Sequence, residues 1–588
     1  MVVGGAGTFG SRLVRGILGR TGMRVVVAGR GLARAQAFVD GLGAEGLGAG
    51  RVSAARLDAG TADAAALRAL GAFAVVDAAG PFRPGQDGLA RAAVAAGAHY
   101  VDLADGRAFV RGFAAGLDAP ARAAGVVALT GASSTPALSC AVLDHLTAGW
   151  TAVETVETAI LPGNRAPRGL AVMQSILSWA GQPVRVFLDG RWAARPGWGL
   201  TRRGDVPGLG RRWSSLADTP DLDLVPARHR VARSAVFRAG LEVPLLHLGL
   251  LALGQPVRAA RACGVRVSLV PLAPALLWMA TLLERAGTDR GGMVVEVAGR
   301  DAAGQPVRRR WTLVAEAGDG PVIPTLPALA VLRRLEAEDP PGDGRPGSPS
   351  AGQLRLQPGA RACVGAVTLD AITAEFAPYG ITASTEDLRP LFADVLGEAA
   401  FAALPPAVRA IHAGGAGAVL EGRADVDGPA GLLARCCAAP FRFPPAGSGV
   451  PVRVVVTPGP GGAEEAWSRY FAGRRFGSRM RRVAEPGPRH GLEERFGPFA
   501  FRLAVPADAS GLSMQVVGWR LGPVPLPRAW APRAVAREGV DAEGRFRFDV
   551  VVTLPLAGRV TGYRGWLVPV RQPGPCRAAP GDTGGHPL

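Results

Sequence analysis

The chain has 588 residues, 48% of them hydrophobic, and a net charge of +18, with no lysine, so that all 66 basic residues are arginine. That length exceeds one domain and that composition supplies several large cores. The missing lysine excludes a Walker A phosphate loop, lysine Schiff-base chemistry and a Tyr-x-x-x-Lys catalytic pair, and six scattered cysteines without a C-x-x-C argue against a disulfide framework or a zinc site and suit a reducing cytoplasm.

The arginine excess is spread along the chain, which argues against a nucleic-acid-binding stripe. Its densest run, Arg469 to Arg482 (RYFAGRRFGSRMRR), reads first as a solvated face, with contact to phosphates or anionic lipid as the alternative.

In chain order, Met1 to Val3 reads as the end of a buried strand, and Phe9, Leu13 and Ile17 recur at helical spacing. Between them Gly5-Ala6-Gly7-Thr8-Phe9-Gly10 fits G-x-G-x-x-G in the strand–turn–helix context of a dinucleotide-binding turn. Gly5 allows the turn, Gly7 lets the backbone approach a pyrophosphate, and Gly10 lets helix and strand pack closely. With so short a first strand, the expectation is a natural start upstream of Met1.

Met23 to Ala28 reads as a second buried strand. It ends at Arg30, with Arg34 one helical turn on, where an NAD-preferring fold carries an acid. A guanidinium suits a 2′-phosphate, so the cofactor reading is NADP(H) rather than NAD. Val52 to Leu57 and Ala74 to Ala79 read as further strands, the first leading into Asp58, a candidate adenine neighbour, and the second into Gly80-Pro81. Ala79, Gly80 and Pro81 fall where a doubly wound sheet holds the nicotinamide side of the ligand. A helix over Asp87 to Ala96 follows, then a strand ending at Asp102 and Asp105, and then Val126 to Thr130 before GASSTPALS.

The succession VVGGAGTFGSRLVRGIL, VVVAGR, VVDAAGPF, AAVAAGAHYVDLADG and TGASSTPALS resembles the saccharopine dehydrogenase-like (saccharopine reductase-like) NAD(P)-binding family. VIPTLPALAVLRRL (Val322 to Leu335) and PGARACVGAVTLDAI (Pro358 to Ile372) resemble the end of such a module more weakly. The resemblance implies a Rossmann-type parallel sheet plus a second α/β domain, and NAD(P)-linked chemistry at a C–N or C=C bond of a small-molecule substrate. The family usually has Gly-Glu after YVDL; here Ala104-Asp105-Gly106 stands instead.

The expected second domain has a strand over Val153 to Leu161, a helix over Leu170 to Trp179 and a hairpin of Met293 to Ala298 with Arg308 to Ala315. Arg165, Arg168, Glu242 and His247 are its polar candidates, each weighted towards structure, and no catalytic residue or proton donor is assigned. Val267 to Leu283 is 17 residues long with two prolines, short of the ~20 a membrane span needs, and reads as a buried or interface helix. Arg258, Arg261 and Arg266 before it keep peripheral membrane contact open, and homo-oligomerisation is also left open.

Glu336 to Gln353 is a loop by composition. A third, mixed, strand-rich unit follows, with helices early (LRPLFADVLGEAAFAALPPAVRAIH), then strands such as Val452 to Val456 and Phe546 to Leu554, and a Pro/Gly-rich tail. WSRYFAGRRFGSRM, FGPFAFRL and YRGWL resemble an uncharacterised bacterial domain family that often follows saccharopine dehydrogenase-like modules. Trp467, Arg469, Phe471, Phe476 and Ser478 are candidates to line a pocket for an apolar or anionic ligand.

The expected organisation is therefore a Rossmann domain over 1–130, a substrate domain over 131–385 that returns to it, an accessory domain over 386–570 and a disordered tail over 571–588. The functional expectation is a cytoplasmic NADPH-dependent oxidoreductase without a metal. The alternative is a non-catalytic NADP-binding sensor or scaffold whose C-terminal domain binds lipid or protein.

Overall fold

The computed structural model describes residues 1–167, 169–338, 355–413, 417–484 and 490–570. The chain divides into two compact units, Met1–Val297 with Arg310–Glu386, and Ala298–Arg309 with the residues from Asp387 onward.

The first unit opens with β1 (Val2–Val3), the glycine turn and helix α1 (Gly10–Arg20). Leu13, Val14, Ile17 and Leu18 give α1 a buried stripe, the 3.6-residue repeat of a helix lying on a sheet. Then come β2 (Val25–Gly29), helix α2 (Leu32–Ala44), β3 (Val52–Arg56), β4 (Ala74–Asp77), β5 (His99–Asp102) and β6 (Val127–Thr130). Every residue of β4, β5 and β6 is buried, as strands covered on both faces require.

The chain next builds β7 (Ala152–Leu161), β8 (Pro183–Leu188), β9 (Arg191–Pro196), β10 (Arg202–Val206), β11 (Gly210–Leu216), β12 (Ser234–Ala239), β13 (Gly291–Arg300) and β14 (Pro306–Ala315). It returns through the helix Leu326–Glu338 to β15 (Gly359–Ala362), and closes with β16 (Ile381–Asp387). The first sheet has the order β15-β6-β5-β4-β1-β2-β3 and is parallel throughout. The second is mixed, with the path β10-β11-β12-β7-β13-β14-β16 and β8 and β9 paired beside β12. The return strand pairs with β6, so the late PGARA motif completes the first sheet.

The helix Leu170–Trp179 and the β13–β14 hairpin lie where the sequence puts them. The Asp301 carboxylate fixes the hairpin turn, accepting from the N–H groups of Ala303 (2.9 Å) and Gln305 (2.8 Å). Of the buried or interface helix expected over Val267 to Leu283, neither the full extent nor the burial holds. Residues Val270–Leu272 form a 3₁₀ turn and only Ala273–Leu282 is α-helical. Its apolar residues surround the axis, so burying all of them would need partners on every side; Trp278 is instead 65% and Leu282 62% exposed. Among the described residues no helix is long and apolar enough to cross a membrane. Most of the Glu336–Gln353 loop lies outside the described residues, as do Arg168 and the tail from 571.

In the second unit three short helices, Leu391–Leu396, Glu398–Ala403 and Pro406–His412, precede the strands. These are β17 (Ala418–Asp427), β18 (Gly447–Pro458), β19 (Glu464–Phe471), β20 (Arg474–Ala484), β21 (His490–Phe496), β22 (Phe499–Ala504), β23 (Ala507–Asp508), β24 (Gly511–Leu521), β25 (Val524–Pro525), β26 (Arg533–Val540), β27 (Phe546–Leu554) and β28 (Gly558–Pro569). Ten of them run antiparallel in the order β22-β21-β20-β19-β18-β17-β28-β27-β26-β24, and β24 pairs back to β22, closing a barrel. Closure removes the sheet edges. The arginine run lies on β19 and β20, and two of its members form close pairs with acids, Arg481 with Glu493 (2.8 Å) and Arg482 with Asp394 (2.6 Å).

Candidate active site at the strand ends of the parallel sheet

Strand order in the first sheet reverses between β1 and β4, the first strand pairing with β2 on one side and β4 on the other. In open parallel sheets ligands bind in the crevice outside the carboxyl ends of the strands at such a reversal. Here that place is made by the turn Gly4–Phe9 and the residues after β4.

The turn is held by its own backbone. The Gly4 N–H donates to the Ala28 carbonyl (2.8 Å) and the Gly7 N–H to the Gly4 carbonyl (2.8 Å). A Cβ on Gly10 would stand 2.2 Å from the Gly4 oxygen, and one on Gly5 2.9 Å from the Val2 oxygen. Gly4 itself has φ +75° and lies against the backbone of Ala78 and Ala79, 2.9 Å from where its Cβ would be. No side chain caps the start of α1 and no acid sits in its first turn, so the positive end of its dipole and its amide N–H groups suit an anion. Thr8 is exposed and Phe9 half-buried at this end.

Arg30 follows β2 and is exposed. Arg34, in the first turn of α2, donates through Nη2 to the Ala6 carbonyl (3.1 Å), which brings a guanidinium onto the glycine turn. Asp58 follows β3, exposed, and accepts from the Gly60 N–H (3.0 Å) in its own turn. Ala79, Gly80 and Pro81 are exposed beyond β4. The Asp77 carboxylate accepts from the Ala79 N–H (2.9 Å) and so sets the direction in which this segment leaves the strand. The structure thus brings together Gly5, Gly7, Gly10, Arg34 and Ala79, with Gly4 as the left-handed pivot that the spacing G-x-G-x-x-G passes over.

Beneath this surface lies a buried polar cluster. Asp77 and Asp102 are register partners on β4 and β5, and the Tyr100 hydroxyl interacts with both carboxyl groups. Asp102 accepts through Oδ1 from the N–H groups of Gly131 (2.7 Å) and Ala104 (3.0 Å) and from the Thr130 hydroxyl (2.9 Å). Burial raises the Asp102 pKa to about 7 despite these bonds, and raises Asp77 and Tyr100 as well. The cluster fixes the loops after β5 and β6, and Asp102 within it keeps its proton up to about pH 7. Asp102 is wholly buried, which gives it a positioning role.

Two sets of contacts tie this region to strand β8 and to the helix Asp221–Arg228 that precedes β12. Arg107 donates to Asp223 (Nε to Oδ2, 2.8 Å), to Asp218 (Nη1 to Oδ1, 2.9 Å) and to the Arg185 carbonyl (2.8 Å). Thr135, in GASSTPALS, donates to Asp221, whose pKa burial raises to about 7. The sequence offered no signal for these contacts, since their members are 78 or more residues apart.

The polar candidates of the second domain are occupied otherwise. Glu242 accepts from the Asn164 N–H (2.7 Å), the Thr288 N–H (2.8 Å) and hydroxyl (2.9 Å) and Arg212 (2.8 Å). Burial pushes its pKa up, but these partners outweigh it and hold the carboxyl below the ordinary value. His247 is fully buried, with Nε2 2.9 Å from the Ser215 hydroxyl and Nδ1 accepting from the Leu241 N–H (3.2 Å). Burial lowers its pKa to about 4, so it is neutral. Arg165 is exposed, its N–H bonded to the Thr288 carbonyl (2.9 Å).

Residues 1–129 match the family profile of the saccharopine dehydrogenase NADP binding domain, and residues 404–567 match a domain of unknown function, DUF4166. No curated protein matches the sequence. Among solved structures, apo saccharopine dehydrogenase (L-Glu forming) from Saccharomyces cerevisiae is similar at 13% identity and a TM-score of 0.46, over 66% of this chain and 98% of that one. GenD2 from gentamicin A biosynthesis, in complex with NAD, matches at 14% identity and a TM-score of 0.25, over 52% of this chain and 70% of the other. An oxidoreductase domain protein from Kribbella flavida matches at 14% and 0.27, over 54% and 76%. Residues 1–129 are thus a saccharopine dehydrogenase NADP-binding domain and residues 404–567 a DUF4166 domain, which makes the chain a dehydrogenase-type, NAD(P)-dependent oxidoreductase.

Proposed function

We propose that the protein is an NADPH-dependent reductase that delivers hydride to a C=N or C=C bond of a small-molecule substrate. In this reading residues 1–130 hold the cofactor, 131–385 hold the substrate and 386–570 form an accessory domain. The carrying observation is the glycine turn at the β1/β4 reversal with Arg34 bonded across it. A turn in which the Gly10 position admits no Cβ fits the close approach of a pyrophosphate. Gly5, Gly7, Thr8, Phe9 and Gly10 would hold that group, Arg30 and Arg34 a 2′-phosphate, Asp58 the adenosine side, and Ala79, Gly80 and Pro81 the nicotinamide side.

When bound, NADPH supplies the hydride. The chain orients and encloses. Asp77 and Asp102 set the loops at the reacting end, and Arg107 with its two aspartates holds the second sheet against them. Exposed Trp278 and Leu282, with Arg258, Arg261 and Arg266 earlier in the chain, support peripheral contact of this surface with a membrane.

Fluorescence titration tests the cofactor assignment. Arg30→Ala should weaken NADPH binding by about 10- to 100-fold, the worth of a charge-assisted hydrogen bond, and leave NADH binding unchanged. Equal affinity of the unaltered protein for both cofactors overturns the NADP reading. NADPH consumption across a panel of imines, enoyl esters and keto acids then separates the bond types.

A further inference from the structure

The closed barrel encloses a cavity of about 430 Å³. Eight strands already suffice to hold one small ligand, and a larger barrel either fills with side chains or encloses space. Inward positions that could close the lumen of these ten strands carry small residues, Ala534 and Ala536 on β26 and Val550 and Val552 on β27. Aromatic rings line much of the remainder, among them Phe471, Phe501, Phe548 and Trp519. Phe441, from the segment joining β17 to β18, also borders the cavity and packs on Phe499 at 5.5 Å between ring centres. Volume and composition fall within those of small-molecule sites, apolar walls with few polar groups.

The polar groups define the ligand further. Arg469 and Glu494 both border the cavity. The Arg469 guanidinium donates to the Ser478 hydroxyl (2.9 Å), which donates to the Glu494 carboxylate (2.5 Å), and Arg469 stands 3.6 Å from that carboxylate. This set is neutral as a whole. Glu538, a third lining residue, is matched by His412 at 2.6 Å. Tyr563 is a neutral phenol, its pKa pushed by burial to about 12. A ligand carboxylate would meet Glu494 at short range in an environment that strengthens the repulsion. An uncharged acceptor would meet the guanidinium and the phenol, both donors. Of the residues singled out in the sequence, Trp467, Arg469 and Phe471 line the cavity, whereas Phe476 packs on Phe471 and Tyr563 and Ser478 serves the relay.

We infer that the lumen binds one uncharged, largely apolar small molecule carrying a carbonyl-type acceptor, an ester or ketone in place of a carboxylate, with the acceptor directed at Arg469. The inference is independent of the nicotinamide assignment, because it concerns the barrel alone.

The test titrates the full chain at pH 7.5 with the methyl ester of cis-parinaric acid and with the free acid, following polyene fluorescence. The expected result is saturable 1:1 binding of the ester, tighter than that of the acid by about tenfold or more, the size of one unfavourable buried contact. Ala536→Trp fills the lumen and should weaken ester binding by at least about tenfold, with the barrel's melting transition retained. Val550→Phe adds less bulk, carries the same expectation and replaces it should Ala536→Trp fail to fold. Binding of neither probe, acid binding as tight as the ester, or undiminished ester binding in a folded filled variant overturns the inference.

Discussion

The parallel sheet and the barrel solve the placement of a site in opposite ways. The sheet leaves its strands open at one end and builds its candidate site from backbone, with Gly4 and Gly10 admitting no side chain and N–H groups turned outwards. The barrel turns side chains inwards from ten strands and uses backbone only to close the wall. A backbone site depends on a few consecutive residues and is intolerant at each of them. A side-chain site is spread over more than a hundred residues and is tolerant of most single changes, apart from its buried charges.

That contrast predicts where one substitution does most damage. In the barrel it is His412, which is fully buried beside Phe392 and is the partner of Glu538. His412→Leu would leave a carboxylate 9% exposed without that partner, and breaking a buried pair typically costs about 3–5 kcal/mol. Thermal unfolding should show the transition of the second unit falling steeply while cofactor binding by the first is kept. An unchanged transition would mean that the pair contributes nothing and that the barrel is as tolerant of lost charges as of lost methyl groups.

In the sheet the corresponding position is Gly10. Alanine is ordinarily better than glycine inside a helix by about 1 kcal/mol. Here its methyl group would collide with the Gly4 oxygen at 2.2 Å, so the turn must shift. Gly10→Ala should lower NADPH affinity by about tenfold or more, a shift of at least ~1.4 kcal/mol, with little change in the barrel's transition. Equal affinity would show that the turn does not need its observed shape to hold a nucleotide. Arg30→Ala is expected to act on the same site without altering the turn, which separates recognition of the extra phosphate from the shape of the loop.

The contrast also explains what the sequence disclosed. The glycine turn, the helix Leu170–Trp179, the β13–β14 hairpin and the strand Phe546–Leu554 are local, so their residue types and periods coincide with their structure. Gly4 escaped notice because its role depends on Ala78 and Ala79, which follow β4 more than 70 residues later. Barrel closure rests on the pairing of β22 with β24 across the intervening β23, and the His412–Glu538 pair joins residues 126 apart. Neither leaves a local period. The apolar run Val267–Leu283 left burial and interface unresolved because composition measures hydrophobicity without direction, and this segment passes from a 3₁₀ turn to a short helix that exposes Trp278.

The finest distinction between the two regions is in their response to pH. Asp102 and Asp221, both in the first unit, have folded-state pKa values raised by burial from 3.8 to about 7. Between these limits the folded protein binds protons that the unfolded chain has released. Stability from these groups is therefore fully present below about pH 4 and is lost as pH rises through about 7. His247 works in the opposite sense over part of the window. Its pKa falls from 6.5 to about 4, so stability is lost as pH drops through that interval. Asp102→Asn keeps an acceptor for Gly131, Ala104 and Thr130 but has no proton to release. The variant should melt with a flatter dependence on pH between about 4 and 7 in the first unit, and with no change in the second. A slope identical to that of the unaltered protein would mean that Asp102 ionises without penalty and that the loops after β5 and β6 are set by something other than this carboxyl group.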